Sequence, residues 1–133
     1  MRRSLAALIT AAVGKLRRAR VLPHITGSLH LIERLTHDKT VGQACTGIGG
    51  YDDIHAGTSV VVRDDASKIV ATGSLAAGKV VDRLSLVGTC GFDFEVDVPD
   101  SAFCQVEVSH RGNVTFSKGD LEGRSWTVAL SLG

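Results

Sequence analysis

One strictly alternating stretch of the sequence constrains the fold more than any other. In "CGFDFEVDVPDSAFCQVEVSHRG", which begins at Cys90, apolar and polar residues take turns. Neighbouring residues of a β-strand point to opposite faces, so this pattern predicts a half-buried strand with one wet face. Pro99 has no amide hydrogen for the ladder, so it ends the strand, and "PDSA" predicts a turn. The predicted buried face carries Cys90, Phe92, Phe94, Val96 and Val98, and the wet face carries Gly91, Asp93, Glu95 and Asp97.

The residues after this turn predict a strand that returns antiparallel to the first. If Val98 lies opposite Phe103, the two strands form a hairpin. His110 then falls on the apolar side at the strand end, and we expect a core or rim histidine there. The apolar face of the returning strand carries Cys104, Val106, Val108 and His110.

Shorter runs with the same period occur on both sides of this stretch. They are "TGSLHLIERL", "TSVVV", "SKIVATGSL", "GKVVDRLSLVG", "NVTFS" and "SWTVALSLG". Seven or eight short strands with turn signals at roughly 8–12-residue spacing are typical of β-sandwiches and barrels. No segment after residue 23 shows a helical period. The sequence therefore predicts an all-β domain over residues 23–133, an antiparallel β-sandwich of about seven or eight strands.

Residues 1–22 form a basic and apolar N-terminal segment. Its apolar stretch, Leu5–Gly14, has the length of an export-signal core and is too short to span a bilayer. The basic run "KLRRAR" follows where a signal has a small-residue cleavage site. Three alternatives stay open: a degenerate export signal, a helix lying on an anionic membrane surface through residues 1–20, and a short helical or disordered tail.

The charge distribution argues against nucleic acid as a partner. Residues 1–20 hold six basic residues and no acid, whereas residues 21–133 hold nine basic residues and all fourteen acids. The body therefore has a net charge of −5. An acidic body repels a phosphate backbone, so we expect no nucleic-acid binding by the domain.

Three cysteines, Cys45, Cys90 and Cys104, allow at most one internal bridge. In the predicted hairpin Cys90 and Cys104 lie roughly 23 Å apart, at about 3.3 Å per residue. A disulfide needs Cα atoms within about 7 Å. The candidate bridge is therefore Cys45–Cys90, with Cys104 as a buried free thiol, in an oxidising compartment. The alternative is a cytosolic protein in which all three are reduced core thiols.

The strings "CTGIGGYDDIHAGTSVVVRDDASKIVATGSL", "FDFEVDVPDSAF" and "VEVSHRGNVTFSKGDLEGRSWTVALSLG" resemble one group of proteins. It is the C-terminal domain of uncharacterised actinobacterial secreted or membrane-anchored proteins, and the likeness covers roughly residues 24–133. The resemblance implies a Cys45–Cys90 pair and a domain that follows a signal or transmembrane segment, and it implies no activity. A more distant likeness is to transthyretin-like and carboxypeptidase-regulatory β-sandwiches, which are generally accessory modules.

The loop "CTGIGGYDDIHAG", Cys45–Gly57, concentrates residues that can carry chemistry. Asp52, Asp53 and His55 are candidate ligands for a divalent ion, although their spacing is not that of an EF-hand or a zinc site. An aspartate-capped turn is the alternative that we favour. The glycines lack the strand and helix context of a phosphate-binding loop, and we expect them to permit a tight connection.

Two other constellations give little support for catalysis. Ser109 and His110 are neighbours on a predicted strand, so their side chains point apart. The acidic row Asp93, Glu95 and Asp97 has no cleft to raise a carboxyl pKa, and we expect a solvated face, with Arg111 or Lys118 offsetting some of its charge.

We therefore expect a non-enzymatic, extracytoplasmic β-sandwich module with a structural or binding role at the cell envelope. We expect no cofactor, and a protein or envelope component as its partner. One alternative is a small hydrolase, or a divalent-ion or ligand-binding domain, with its site in the Cys45–Gly57 loop. Another is a small cytosolic protein with reduced cysteines and a basic arm.

Overall fold

The computed structural model describes residues 23–34, 39–98 and 100–133. Its strands form two sheets that pack face to face. The five-stranded sheet has the order β2-β5-β6-β1-β9, and the four-stranded sheet has the order β4-β3-β7-β8. The strands are β1 His24–Arg34, β2 Ala44–Cys45, β3 Ser59–Arg63, β4 Ile69–Ser74, β5 Gly78–Leu84, β6 Val87–Asp97, β7 Phe103–Val108, β8 Asn113–Ser117 and β9 Thr127–Leu132.

This architecture confirms the predicted all-β sandwich, and the alternation along β6 confirms its physical basis. Every second residue from Cys90 to Val98 is buried, while Asp93, Glu95 and Asp97 are exposed. On the neighbouring strand β1, Ile25, Leu29 and Leu31 fill the same core layer. The inner faces of the two sheets thus meet in a single hydrophobic cluster.

The predicted hairpin between β6 and β7 is wrong. β6 pairs with β5 and β1, whereas β7 pairs with β3 and β8 in the other sheet. Phe103 lies opposite Ser117, and the Val98 amide donates a 2.9 Å hydrogen bond to the Pro23 carbonyl. The chain crosses from one sheet to the other between residues 98 and 103. Both strands bury alternate residues in the same core, so a sandwich corner and a hairpin have the same sequence pattern.

Two further elements differ from the prediction. β9 pairs parallel to β1, with Thr26 opposite Thr127, so the sandwich is not wholly antiparallel. A six-residue helix, α1 Lys118–Gly123, follows β8. The Ser117 hydroxyl caps it by accepting a 3.0 Å hydrogen bond from the Asp120 amide. Serine three residues before aspartate is a helix-start signal, whereas a six-residue helix is too short to show a helical period.

The predictions for residues 1–22 lie outside the described residues. In the described ranges, no helix is long and apolar enough to cross a membrane.

Candidate functional site

The Cys45–Gly57 loop is anchored covalently to the five-stranded sheet at its first residue. Cys45 in β2 and Cys90 in β6 form a disulfide, with their Cα atoms 6.0 Å apart. This confirms the predicted pair, although the hairpin from which it was argued does not exist. Cys104 is free and buried, and burial raises the pKa of its thiol.

The disulfide passes over Gly78 of β5, which lies opposite Cys45 in the sheet. A methyl group at position 78 would lie 2.5 Å from the Phe92 ring, 2.6 Å from the Cys45 carbonyl oxygen and 2.9 Å from the Cys90 sulfur. These distances are below van der Waals contact, so only glycine leaves room for the bridge. Gly78 is thus a requirement of the disulfide that the sequence alone does not reveal.

Three of the loop glycines lie at positions that disfavour any other residue. A side chain at Gly47 would overlap with the carbonyl oxygen of Tyr51, because the loop folds back on itself there. Gly49 and Gly57 adopt φ angles of 58° and 92°, in the left-handed region that favours glycine. The expectation that glycines permit a tight connection fits this geometry.

Hydrogen bonds inside the loop hold the fold-back. The Ile54 carbonyl accepts from the Gly47 amide at 2.8 Å and from the Thr46 hydroxyl at 3.1 Å. Ile54 itself is fully buried, and Tyr51 packs against the core. The Thr58 hydroxyl closes the far end by donating to the Asp53 carbonyl oxygen at 2.6 Å.

A polar cluster fastens the loop to the β7–β8 turn of the other sheet. The Asp53 carboxylate accepts hydrogen bonds from the Ser109 hydroxyl at 2.6 Å and from Arg111 Nε at 2.9 Å. Arg111 Nη2 also donates to Asp53 and, at 2.6 Å, to the Gly50 carbonyl. The Arg111 guanidinium lies 5.0 Å from the centre of the Tyr51 ring. We call Asp53, Ser109 and Arg111 the loop latch.

The loop latch perturbs the ionisation of its members. Hydrogen bonds from Arg111 and then from Ser109 hold the pKa of Asp53 well below its usual range. The carboxylate in return raises the pKa of Arg111. A carboxylate engaged in this way is a structural ion pair rather than an available base.

The three candidate metal ligands do not converge. Asp53 belongs to the loop latch, while Asp52 is exposed to solvent. The ring nitrogen Nδ1 of His55 lies 2.8 Å from the adjacent Ala56 carbonyl oxygen. Nowhere in residues 23–34, 39–98 and 100–133 do three or more histidine, cysteine or carboxylate groups gather as a metal site would require.

Ser109 and His110 lie in the turn between β7 and β8 rather than on a strand. Their φ angles are 51° and 59°, as in a type I′ turn, which glycine and asparagine normally occupy. The Ser109 hydroxyl donates to Asp53, and the His110 side chain is 83% exposed. The expectation of a core or rim histidine at 110 is therefore wrong, because the chain turns away from the core after Val108.

The acidic row lies on the exposed face of β6, as predicted, and two of its carboxylates contact the side chain of a residue on β1. The His24 ring lies 3.0 Å from Glu95 and 2.9 Å from Asp97. Arg111 is held in the loop latch, and Lys118 donates to Asp100 at 2.6 Å. The expectation that Arg111 or Lys118 offsets the row is wrong, because Arg111, in the β7–β8 turn, and Lys118, at the start of α1, are each paired with a different aspartate.

Sequence reasoning missed Glu33, at the end of β1. Its side chain faces inward with Leu29 and Leu31 and is 8% exposed. Oε1 accepts a long 3.3 Å hydrogen bond from the Ile48 amide. Burial raises the pKa of Glu33, and that hydrogen bond lowers it by less. The alternation from Gly27 through Leu31, extended by one step, places Glu33 on the buried face and was the available signal.

No protein-family model matches the chain, and the searches of curated proteins and of solved structures gave no match either.

Proposed function

We propose that this chain is a non-enzymatic, extracytoplasmic β-sandwich module with a structural or binding role at the cell envelope. The Cys45–Cys90 disulfide is the observation that carries the proposal. Structural disulfides persist in oxidising compartments and are rare where glutathione and thioredoxin keep thiols reduced. Cys90 is fully buried and Cys45 nearly so, which protects the bridge from exchange with external thiols.

The use of the loop's polar groups supports a role without catalysis. Asp53 is neutralised by Arg111, and the Ser109 hydroxyl points at that carboxylate rather than at a histidine. A nucleophile needs an adjacent base that can take its proton, and a carboxylate with a strongly lowered pKa is a poor one. The loop latch is better explained as a fastening between the two sheets.

A free-thiol count on the unfolded, unreduced protein tests the compartment. We expect one thiol per chain, from Cys104, in protein isolated from the periplasm or medium. After reduction the same protein should give three. Three thiols before reduction would contradict the proposal.

Cell fractionation tests the role of the N-terminal segment. We expect the full chain outside the cytoplasm and a variant that begins at Val21 inside it, because the apolar and basic residues are the only export-like feature of the sequence. Equal distribution of the two proteins would contradict the assignment to the envelope.

A melting experiment tests the divalent-ion alternative. A ligand that binds only the native state must raise the melting temperature. Because Asp53 is held by Arg111, we expect no shift with calcium, zinc or EDTA. A rise with one ion that Asp52→Asn abolishes would favour the alternative.

A further inference from the structure

A cleft of about 370 Å³ lies beside the first residues of the Cys45–Gly57 loop. Pockets that take small molecules begin at about 300 Å³. The cleft therefore has room for a small ligand, near the lower end of that range. We call it the Glu33 cleft, and it is lined by Glu33, Arg34, Lys39, Ala44, Cys45, Thr46 and Ile48.

The carboxyl group of Glu33 is incompletely satisfied. Oε1 has only the long 3.3 Å hydrogen bond from Ile48, and Oε2 is buried with no hydrogen-bond partner among the described residues. Buried polar oxygens without a partner are uncommon in native proteins, and each one costs stability. Glu33 lines the cleft, so a ligand donor that reaches Oε2 from the cleft would remove that cost.

The remaining walls select the kind of donor. Ala44, Cys45 and Ile48 present apolar surface, and Ile48 is 52% exposed although it is large and apolar. Arg34 and Lys39 add two positive charges, and Lys39 Nζ donates to the Ala44 carbonyl at 2.8 Å. These cations repel an ammonium group. Burial raises the pKa of Glu33.

We propose that the Glu33 cleft binds a small, mainly apolar molecule whose neutral hydroxyl group donates a hydrogen bond to Glu33. The apolar body packs on Ala44, Cys45 and Ile48. The inference goes beyond the proposed function and does not depend on the compartment. Thiol counts and fractionation test the compartment, whereas binding to the purified protein tests the cleft.

The experiment is a set of titrations of the ¹⁵N-labelled full chain, followed by amide chemical shifts. The probes are 1-hexanol, its isostere 1-methoxypentane, which has no donor, and 1-aminohexane, which is charged. We expect saturable shifts at the amides of Ala44, Thr46 and Ile48. A single hydrogen bond predicts about fivefold tighter binding of the alcohol than of the ether. The amine should bind more weakly than the alcohol.

Two variants link the discrimination to the carboxyl group. In Glu33→Leu the ratio of alcohol to ether affinity should fall to about one. In Glu122→Gln, which changes an exposed carboxylate on α1, it should stay near five. If Glu33→Leu does not fold, the ratio of alcohol to ether affinity in the wild type and the location of the shifted amides still test the proposal.

Four results would overturn the proposal. They are equal affinity for alcohol and ether in the wild type, tighter binding of the amine, saturable shifts elsewhere on the molecule, and discrimination that survives in Glu33→Leu. A variant with residues 35–38 replaced by Gly-Ser-Gly-Ser covers one further case. Binding that occurs only in this variant would mean that the chain occupies its own cleft, and it would also overturn the proposal.

Discussion

Reduction of the Cys45–Cys90 disulfide should remove a large part of the stability of this domain. The bridge joins two residues separated by 45 positions. It therefore limits the conformations of a long loop in the unfolded chain while leaving the native strands where the sheet places them. In the chain-entropy relation, a loop of this length corresponds to about 4 kcal/mol at 25 °C. Domains are typically stable by about 5–15 kcal/mol, so the loss should be easy to measure.

Urea unfolding with and without a phosphine reductant measures this loss. Trp126 is the only tryptophan and packs against the core, so its fluorescence reports the transition. With a slope of about 2 kcal/mol per molar urea, the midpoint should fall by about 2 M. The variant Cys45→Ala/Cys90→Ala should unfold at least as early as the reduced protein, and reductant should have no effect on it.

The size of the change decides whether the reasoning holds. If thiol counts show that the bridge is formed and then fully reduced, a loss below about 1 kcal/mol would refute the loop-closure argument. It would mean that the unfolded chain keeps these two segments close without the bond. A reductant effect in the double variant would show that the assay reports something other than this disulfide.

Four further predictions concern single positions. Gly78→Ala should lower the free energy of unfolding in urea by roughly 1–3 kcal/mol, because the new methyl group collides with the Phe92 ring, the Cys45 carbonyl oxygen and the Cys90 sulfur. An unchanged midpoint would contradict this. Asp53→Asn should lower stability at pH 7 by at most about 1 kcal/mol, because water screens a side chain that is 36% exposed. Its folded pKa is depressed by Arg111, so the wild-type advantage should be complete above about pH 5 and decline as pH falls further; an advantage that grows in acid would refute the latch. Glu33→Gln should become increasingly stable relative to the wild type as the pH rises above the usual glutamate range, because the pKa of Glu33 is raised in the folded protein. In thermal melts from pH 4 to pH 8, the difference in melting temperature between variant and wild type should widen with pH. Ser117→Ala should cost about 1 kcal/mol through loss of the helix cap, whereas Ser117→Asp should restore most of it.

The strands β1, β6 and β7 could be predicted because each of them buries alternate residues. The period-two pattern of β6 identifies which side chains face the core, and the structure agrees residue by residue from Cys90 to Val98. The alternation does not show which other strands a strand pairs with. β6 and β7 show the same alternation of apolar and polar residues whether they form a hairpin or lie in opposite sheets. The two cases differ only in whether the strands are hydrogen-bonded neighbours or face each other across the core.

The candidate site was predictable in part, for a similar reason. The glycines and aspartates of the Cys45–Gly57 loop predict a tight turn, because both residue types favour turn conformations. The contact of Asp53 with Arg111 joins residues far apart in sequence, and no local rule indicates it. His110 was misplaced because the predicted strand continued past Val108. Ser109 and His110 instead form a turn with positive φ angles, which serine and histidine rarely adopt.

The parallel pairing of β1 with β9 has a consequence for the order of folding. β1 lies between β6 and β9, so both of its partners are synthesised long after it. Thr26 meets Thr127 only after about a hundred intervening residues have been made. Such distant pairings form slowly because the loop between the strands must close first. Before β6 is made β1 has two open edges, and before β9 is made it has one. Such an unpaired edge is a place where a partly made chain can pair with another copy.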